Sequence, residues 1–181
     1  MLLISLILAA ILLAVFLCIA WYALDDLFGG EDFATSKSTI RKIGKFLVEH
    51  GYQDSNLYDL GSSRGHFLLE ILKICPNLRA TGVDDSLLRT WIARFRALSL
   101  RNKPVFIKGD IFAHNASKAE VVFIYLPRPM LADIETKLKK ELRPGSLVIT
   151  SRVNLPSWQP EEVLASGSKD RTEETVYIYR K

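Results

Sequence analysis

The chain has 181 residues, a net charge of +4 and 49% hydrophobic residues, enough for one domain with a substantial core. Its two cysteines exclude a disulfide framework, and the sequence contains no cluster with metal-ligand spacing. Basic residues form two clusters: Arg89, Arg94, Arg96, Arg101 and Lys103, then Lys137, Lys139, Lys140 and Arg143. We interpret both clusters as solvated helix faces. The alternatives that give them a function are contact with anionic lipid or with nucleic acid.

The first segment of the chain predicts a membrane anchor. Residues 2–24 carry no charge and exceed the ~20 apolar residues that a membrane-spanning helix needs. Trp21 and Tyr22 end this run, as is typical of a membrane interface. The alternative is a cleaved signal peptide, but the run has no basic region before it and ends in bulky residues. We therefore expect an anchor at 1–24, a linker at 25–35 and one domain at 36–181.

The charges that flank this run predict its orientation. Lys37, Arg41, Lys42 and Lys45 follow it, whereas only the terminal amine precedes it. Because Lys and Arg are retained on the cytoplasmic side, we expect a single-pass membrane protein whose domain lies on that side.

After a helix capped by Ser36 and ended by Gly51, apolar β-rich runs alternate with helical patterns. Strands are predicted at 56–60, 79–84, 105–109, 121–126 and 146–151, helices at 65–75, 86–99 and 129–142, and a loop at 111–119. This alternation predicts an α/β fold with a Rossmann-like, mostly parallel sheet. At the end of the chain, 161–166 and 174–181 predict two short strands flanking the polar segment 167–172, and hence a terminal antiparallel pair.

The stretch "LYDLGSSRGHF", residues 57–67, predicts a cofactor site, since Asp59 ends the first strand and Gly61 and Gly65 follow it. A dinucleotide site needs G-x-G-x-x-G, but here the two glycines are four positions apart with no glycine between them. A carboxylate would also repel a diphosphate. S-adenosylmethionine has no phosphate and carries a sulfonium and an ammonium, which a carboxylate attracts.

Two more carboxylates end the next two predicted strands. Asp84 is placed to accept hydrogen bonds from ribose hydroxyls, and Asp110 is placed to meet an adenine amino group. Each of them alone is equally explained as a helix cap or a turn residue. Three such carboxylates in succession favour the cofactor site.

These residues carry a resemblance to a known family. "DLGSSRG" resembles the first motif, D-x-G-x-G-x-G, of the seven-β-strand S-adenosylmethionine-dependent methyltransferases (class I), with Ser63 where the middle glycine is usual. The chain is most similar to the small membrane-anchored protein lysine methyltransferases that modify the ATP synthase c subunit and the adenine nucleotide translocase. The resemblance covers residues 33–181 and includes "TGVDDSLLRTWIARFRA", "KGDIF" and "SRVNLPSW".

The resemblance implies methyl transfer from S-adenosylmethionine to a protein lysine. Because the short predicted linker tethers the domain close to the membrane, we expect this lysine to belong to an integral membrane protein. The resemblance places the cofactor on Asp59, Gly61, Ser62, Gly65, Asp84 and Asp110. It also places Tyr125 and Trp158 beside the channel for the substrate amine, although both are equally explained as packing residues. The segment after the fourth strand is "IYLPRPM" rather than N-P-P-Y, which disfavours methylation of nucleic-acid bases. Two alternatives stay open: a methyltransferase for RNA or a small molecule, and a non-catalytic scaffold, which Ser63 motivates.

Overall fold

The computed structural model describes residues 2–28, 35–165 and 174–181. The chain divides into two compact units, Met1–Asp32 and Phe33–Lys181. In the first unit, helix α1 spans Leu2–Phe28, four residues beyond the predicted anchor. Its segment Leu3–Ala23 is long and apolar enough to cross a membrane by length and composition, and a signal sequence passes the same test. Of the rest of the predicted linker, residues 29–34 lie outside the described residues and Thr35 is buried.

The second unit contains a seven-stranded sheet in the order β3-β2-β1-β4-β5-β7-β6. The strands are β1 (Asn56–Leu60), β2 (Arg79–Asp84), β3 (Val105–Lys108), β4 (Val121–Ile124), β5 (Leu147–Ser151), β6 (Glu162–Leu164) and β7 (Val176–Arg180). Strands β1 to β5 are parallel, and β7 lies antiparallel between β5 and β6. The predicted fold class and terminal antiparallel pair are therefore confirmed. The predicted polar segment between the last two strands, 167–172, lies outside the described residues.

Four helices cover the sheet: α2 (Lys37–Glu49), α3 (His66–Ile74), α4 (Leu87–Ala97) and α5 (Leu131–Glu141). Ser36 caps α2 as predicted, its hydroxyl accepting the Thr39 N–H. A 3₁₀ turn, Arg128–Met130, precedes α5 where the sequence predicted helix from 129, because Pro129 favours only the first turn of a helix.

The two faces of the sheet bury separate cores. Helices α2, α3 and α4 pack on one face, which we call the α3 face, and α5 packs on the other, the α5 face. Consecutive residues of β4 alternate between the faces, so that Phe123 stacks on Phe67 at 3.7 Å on the α3 face while Ile124 joins the α5 face. The same alternation decides which side chains can share a site at the carboxyl edge.

Candidate active site

The carboxyl ends of β1 and β2 bring the first two predicted carboxylates together. Asp59 lies opposite Gly82 of β2 and Phe123 of β4, on the α3 face, and Asp84 ends β2. Strand β1 lies between β2 and β4, which is where the strand order reverses. Ligands of open α/β sheets bind outside such a switch point. The predicted location of the site therefore matches the topology.

Asp59 is a buried carboxylate that accepts no hydrogen bond from any described residue. Its side chain is only 3% exposed. Burial raises the pKa of this carboxyl well above its ordinary value, and the charge of Asp84 raises it further. An isolated buried carboxylate is costly unless a donor or a positive charge meets it. Asp59 therefore fits a ligand that carries a cation or hydrogen-bond donors.

Each carboxylate oxygen of Asp84 accepts a hydrogen bond from a backbone N–H. Its Oδ2 accepts the N–H of Ser63 at 2.8 Å, and its Oδ1 accepts the N–H of Ser86 at 2.9 Å. Burial raises the pKa of the Asp84 carboxyl, and the two backbone hydrogen bonds oppose that rise. Since each carboxylate oxygen has two lone pairs, both oxygens keep one acceptor position for ribose hydroxyls.

The glycine-rich loop needs its two glycines. Gly61 and Gly65 have φ of +93° and +75°, a conformation that L side chains rarely adopt. A Cβ on Gly61 would lie 2.7 Å from Leu126, and one on Gly65 would lie 2.5 Å from Phe106. Gly65 thus lets α3 start close against β3. Ser62, between the glycines, is buried and donates its backbone N–H to Val83 at 3.0 Å.

Ser63 adopts φ +44° where the resembling family has glycine. A non-glycine residue in this region costs roughly 1–3 kcal/mol. The hydrogen bond from its N–H to Asp84 holds the conformation. Ser63 is therefore compatible with the backbone path that a glycine would take.

Asp110 is exposed, and its Oδ1 accepts the N–H of Phe112 at 2.8 Å in a turn after β3. This contact matches the turn-residue alternative, and its other carboxylate oxygen faces no described donor.

Tyr125 lies on the α3 face, two positions beyond Phe123, the residue paired with Asp59. Its hydroxyl donates to Oε1 of Glu174 at 2.6 Å. Oε2 of Glu174 accepts the Ser151 hydroxyl at 2.7 Å. Burial, followed by the Glu174 hydrogen bond, raises the pKa of the Tyr125 hydroxyl. The hydroxyl therefore stays protonated at neutral pH and keeps its hydrogen bond to Glu174.

Sequence reasoning missed Glu174. Strand β7 runs antiparallel, pairing Val176 with Ser151, so the residues that precede it lie at the carboxyl edge of the parallel strands. Glu174 also donates its backbone N–H to the Thr39 hydroxyl of α2 at 2.9 Å. The sequence does show an acidic residue just before the last strand. Only the position of β7 in the sheet shows that this residue lies at the carboxyl edge.

Trp158 does not join Tyr125. Its ring lies 5.8 Å from that of Tyr179 on the α5 face, and Lys139 Nζ lies 5.4 Å above it. Tyr125 packs on the opposite face, so the structure does not bring these two predicted channel residues together. The packing alternative accounts for Trp158.

Among the described residues, no group of three or more His, Cys, Asp or Glu side chains is arranged to hold a metal ion.

Proteins that are similar to this chain in sequence include lysine methyltransferases. A protein-lysine N-methyltransferase from Saccharolobus islandicus is 30% identical over 129 residues, which cover 70% of this chain and 80% of that protein. The lysine N-methyltransferase of the ATP synthase c subunit from Homo sapiens is 27% identical over 144 residues, which cover 78% of this chain and 59% of that protein. The chain thus spans less than two thirds of the human relative.

Among solved structures, an RNA methyltransferase from Salinibacter ruber, in complex with S-adenosyl-L-homocysteine, has a TM-score of 0.66 at 24% identity. The match covers 77% of this chain and 90% of that one, and at this identity it shows the fold.

The strand order and the antiparallel β7 are those of the seven-strand methyltransferase fold. The matches in sequence identify the chain as an S-adenosylmethionine-dependent methyltransferase of this class. A sequence model of the ANTKMT methyltransferase domain matches residues 59–162. The chain belongs to this family.

Proposed function

We propose that this chain methylates a lysine side chain of a protein, with residues 36–181 as the methyltransferase domain. The observation that carries the cofactor site is Asp59, a buried carboxylate to which no described residue donates, at the point where the strand order reverses. The choice of lysine is supported by the similarity to the archaeal protein-lysine methyltransferase, most of whose length this chain spans.

The side chains at the carboxyl edge have distinct roles in this proposal. When bound, S-adenosylmethionine supplies an electrophilic methyl group on a sulfonium. Asp59 attracts its positive charge, Asp84 accepts the ribose hydroxyls, and Gly61, Ser62 and Gly65 shape the loop around it. We assign Asp110 to the adenine amino group of the cofactor.

Glu174 and Tyr125 would receive the substrate amine. A lysine reaches the site as an ammonium, with a pKa of ~10.4 in water, and must lose a proton before its nitrogen can attack. The Glu174 carboxylate attracts the ammonium, and the Tyr125 hydroxyl orients that carboxylate. The half-buried surroundings favour the neutral amine, and the proton passes to Glu174 or to water.

We further propose that α1 anchors the domain at the cytoplasmic face of a membrane and that the substrate is an integral membrane protein. The uncharged segment 2–24 and the basic residues after it support this topology. With α1 helical to Phe28, residues 25–36 can extend about 34 Å at most. A lysine of a neighbouring membrane protein would then meet the site at high effective concentration. The human relative's target, the ATP synthase c subunit, is one candidate.

Two measurements test this proposal. Calorimetry with S-adenosylmethionine should show binding, with NADH as the negative control; binding of NADH alone would refute the cofactor assignment, and binding of neither would favour a scaffold. Mass spectrometry of cells should then show a methylated lysine in a membrane protein that depends on the full chain. Methylation confined to RNA or small molecules would refute the lysine assignment.

The anchor has a separate test. Carbonate washing should leave the full chain in the membrane fraction, whereas the chain without residues 2–24 should be recovered as soluble protein. If both methylate the same soluble proteins equally well, tethering does not select the substrate.

A further inference from the structure

Helix α4 has a second apolar face that points away from the protein. Leu87, Trp91, Phe95 and Leu98 are 55%, 63%, 75% and 63% exposed. Their spacing of i, i+4, i+8 and i+11 places them within about 80° of one another around the helix axis. We call these four residues the α4 stripe.

The α4 stripe is not part of the fold's core. The opposite side of the helix already packs on the sheet through Thr90, Ala93 and Ala97, which are buried. Ser86 caps the helix independently, since its hydroxyl accepts the Arg89 N–H. Single exposed apolar residues are ordinary, but a contiguous stripe that includes Trp and Phe marks an interaction surface.

The segment that carries the α4 stripe is strongly basic. Residues 86–108 contain six basic residues and no acidic one, although Asp85 directly precedes them. Arg94 donates to the backbone oxygen of Phe106, and Arg96 donates to that of Arg64, which fixes both guanidinium groups beside the helix. Arg101 and Lys103 are exposed beyond its end. None of these four cations forms an ion pair with a described residue. A partner for this surface should therefore be apolar at its centre and anionic at its edges.

We propose that the α4 stripe lies in the interface of an anionic lipid bilayer. Trp, Phe and Leu on one side of a helix with Arg and Lys around them is the pattern of helices that rest in the headgroup region, with the apolar side chains ~5–10 Å deep. Anionic headgroups match the surrounding cations. The same chain carries an apolar helix of membrane-spanning length. The proposal concerns the surface of the domain and does not depend on methyl transfer.

Tryptophan fluorescence of the full chain in vesicles tests this directly. The double variant Trp21→Phe/Trp158→Phe leaves Trp91 as the only indole. In vesicles of phosphatidylcholine and phosphatidylglycerol, brominated acyl chains should quench its emission relative to unbrominated lipid, and the emission should shift to shorter wavelength. Quenching should weaken in pure phosphatidylcholine or at high salt.

A matched control uses the double variant Trp21→Phe/Trp91→Phe. Trp158 packs against Tyr179 on the α5 face, so its emission should be the same in brominated and in unbrominated lipid. In the Trp91 background, Arg101→Glu/Lys103→Glu should reduce quenching without changing S-adenosylmethionine binding.

Two outcomes would overturn the proposal. The first is a Trp91 emission that is equal in brominated and in unbrominated lipid and keeps the wavelength of a water-exposed indole. The second is a shift to shorter wavelength without bromine quenching and with a dependence on protein concentration, which would assign the α4 stripe to a second copy of the chain.

Discussion

Replacing Asp59 by Asn should make the cofactor-free protein more stable and the cofactor-bound complex weaker. Asp59 is buried, accepts no hydrogen bond from a described residue and lies near the charge of Asp84. Asn has nearly the same shape but no charge. The substitution therefore removes an uncompensated charge from the site and, with it, the attraction for a cationic ligand.

The magnitude follows from the burial of this one group. A buried polar group without a partner costs ~1–3 kcal/mol, and more when it is charged. Because the amide of Asn is also polar, we expect a net gain on the order of 1–2 kcal/mol. For a chain of this size each kcal/mol raises the melting temperature by about 2–4 °C. Loss of a charged interaction with the cofactor, worth roughly 1.5–3 kcal/mol, should weaken binding by about 10- to 150-fold.

The pH dependence has a definite sign. The pKa of the folded-state carboxyl lies above its ordinary value of 3.8, so between these two pKa values the folded protein binds more protons than the unfolded one. The stability contributed by Asp59 therefore falls as pH rises through this window and does not recover above it. The advantage of Asp59→Asn should be small near pH 4 and largest at neutral pH.

Thermal unfolding of the full chain in detergent, at several pH values, measures the stability, and calorimetry measures cofactor binding. Asp110→Asn is the matched control for the stability measurement alone, since Asp110 is exposed and Asn keeps the oxygen that accepts the Phe112 N–H. A lower melting temperature for Asp59→Asn at neutral pH, with unchanged cofactor binding, would refute the reasoning.

Four further predictions concern the same edge of the sheet. Asp84→Asn should lower stability by ~1–3 kcal/mol, because its amide NH₂ must face a backbone N–H, and a melting temperature equal to that of the wild type would contradict this. Ser63→Gly should raise stability by roughly 1 kcal/mol in thermal unfolding, since it relieves φ +44° and keeps the N–H; a decrease would show that the serine hydroxyl matters more than the backbone. Glu174→Gln should lower the rate of lysine methylation and leave the cofactor dissociation constant unchanged. Tyr125→Phe should have the same but smaller effect, and unchanged rates for both would remove them from the amine site.

The sequence predicted those parts of the molecule that local patterns determine. Strands β1 and β2 have the predicted bounds, and Asp59 and Asp84 lie together, because a parallel sheet places successive strand ends at one edge. The separation of Trp158 from Tyr125 was not predicted, because a residue's position after a strand does not tell which face of the sheet its loop covers. Glu174 was missed because its location depends on β7 entering between β5 and β6, a pairing of residues far apart in sequence.

The two hydrogen bonds of Asp84 have a thermodynamic consequence. One carboxylate holds the backbone of the glycine-rich loop through Ser63 and the start of α4 through Ser86. A ligand that displaces either segment must also alter the other. If a lipid surface bound along α4 changes the cofactor dissociation constant by some factor, the cofactor must change lipid partitioning by that same factor. Measuring either quantity at saturating and at zero concentration of the other ligand gives the coupling free energy between membrane and cofactor.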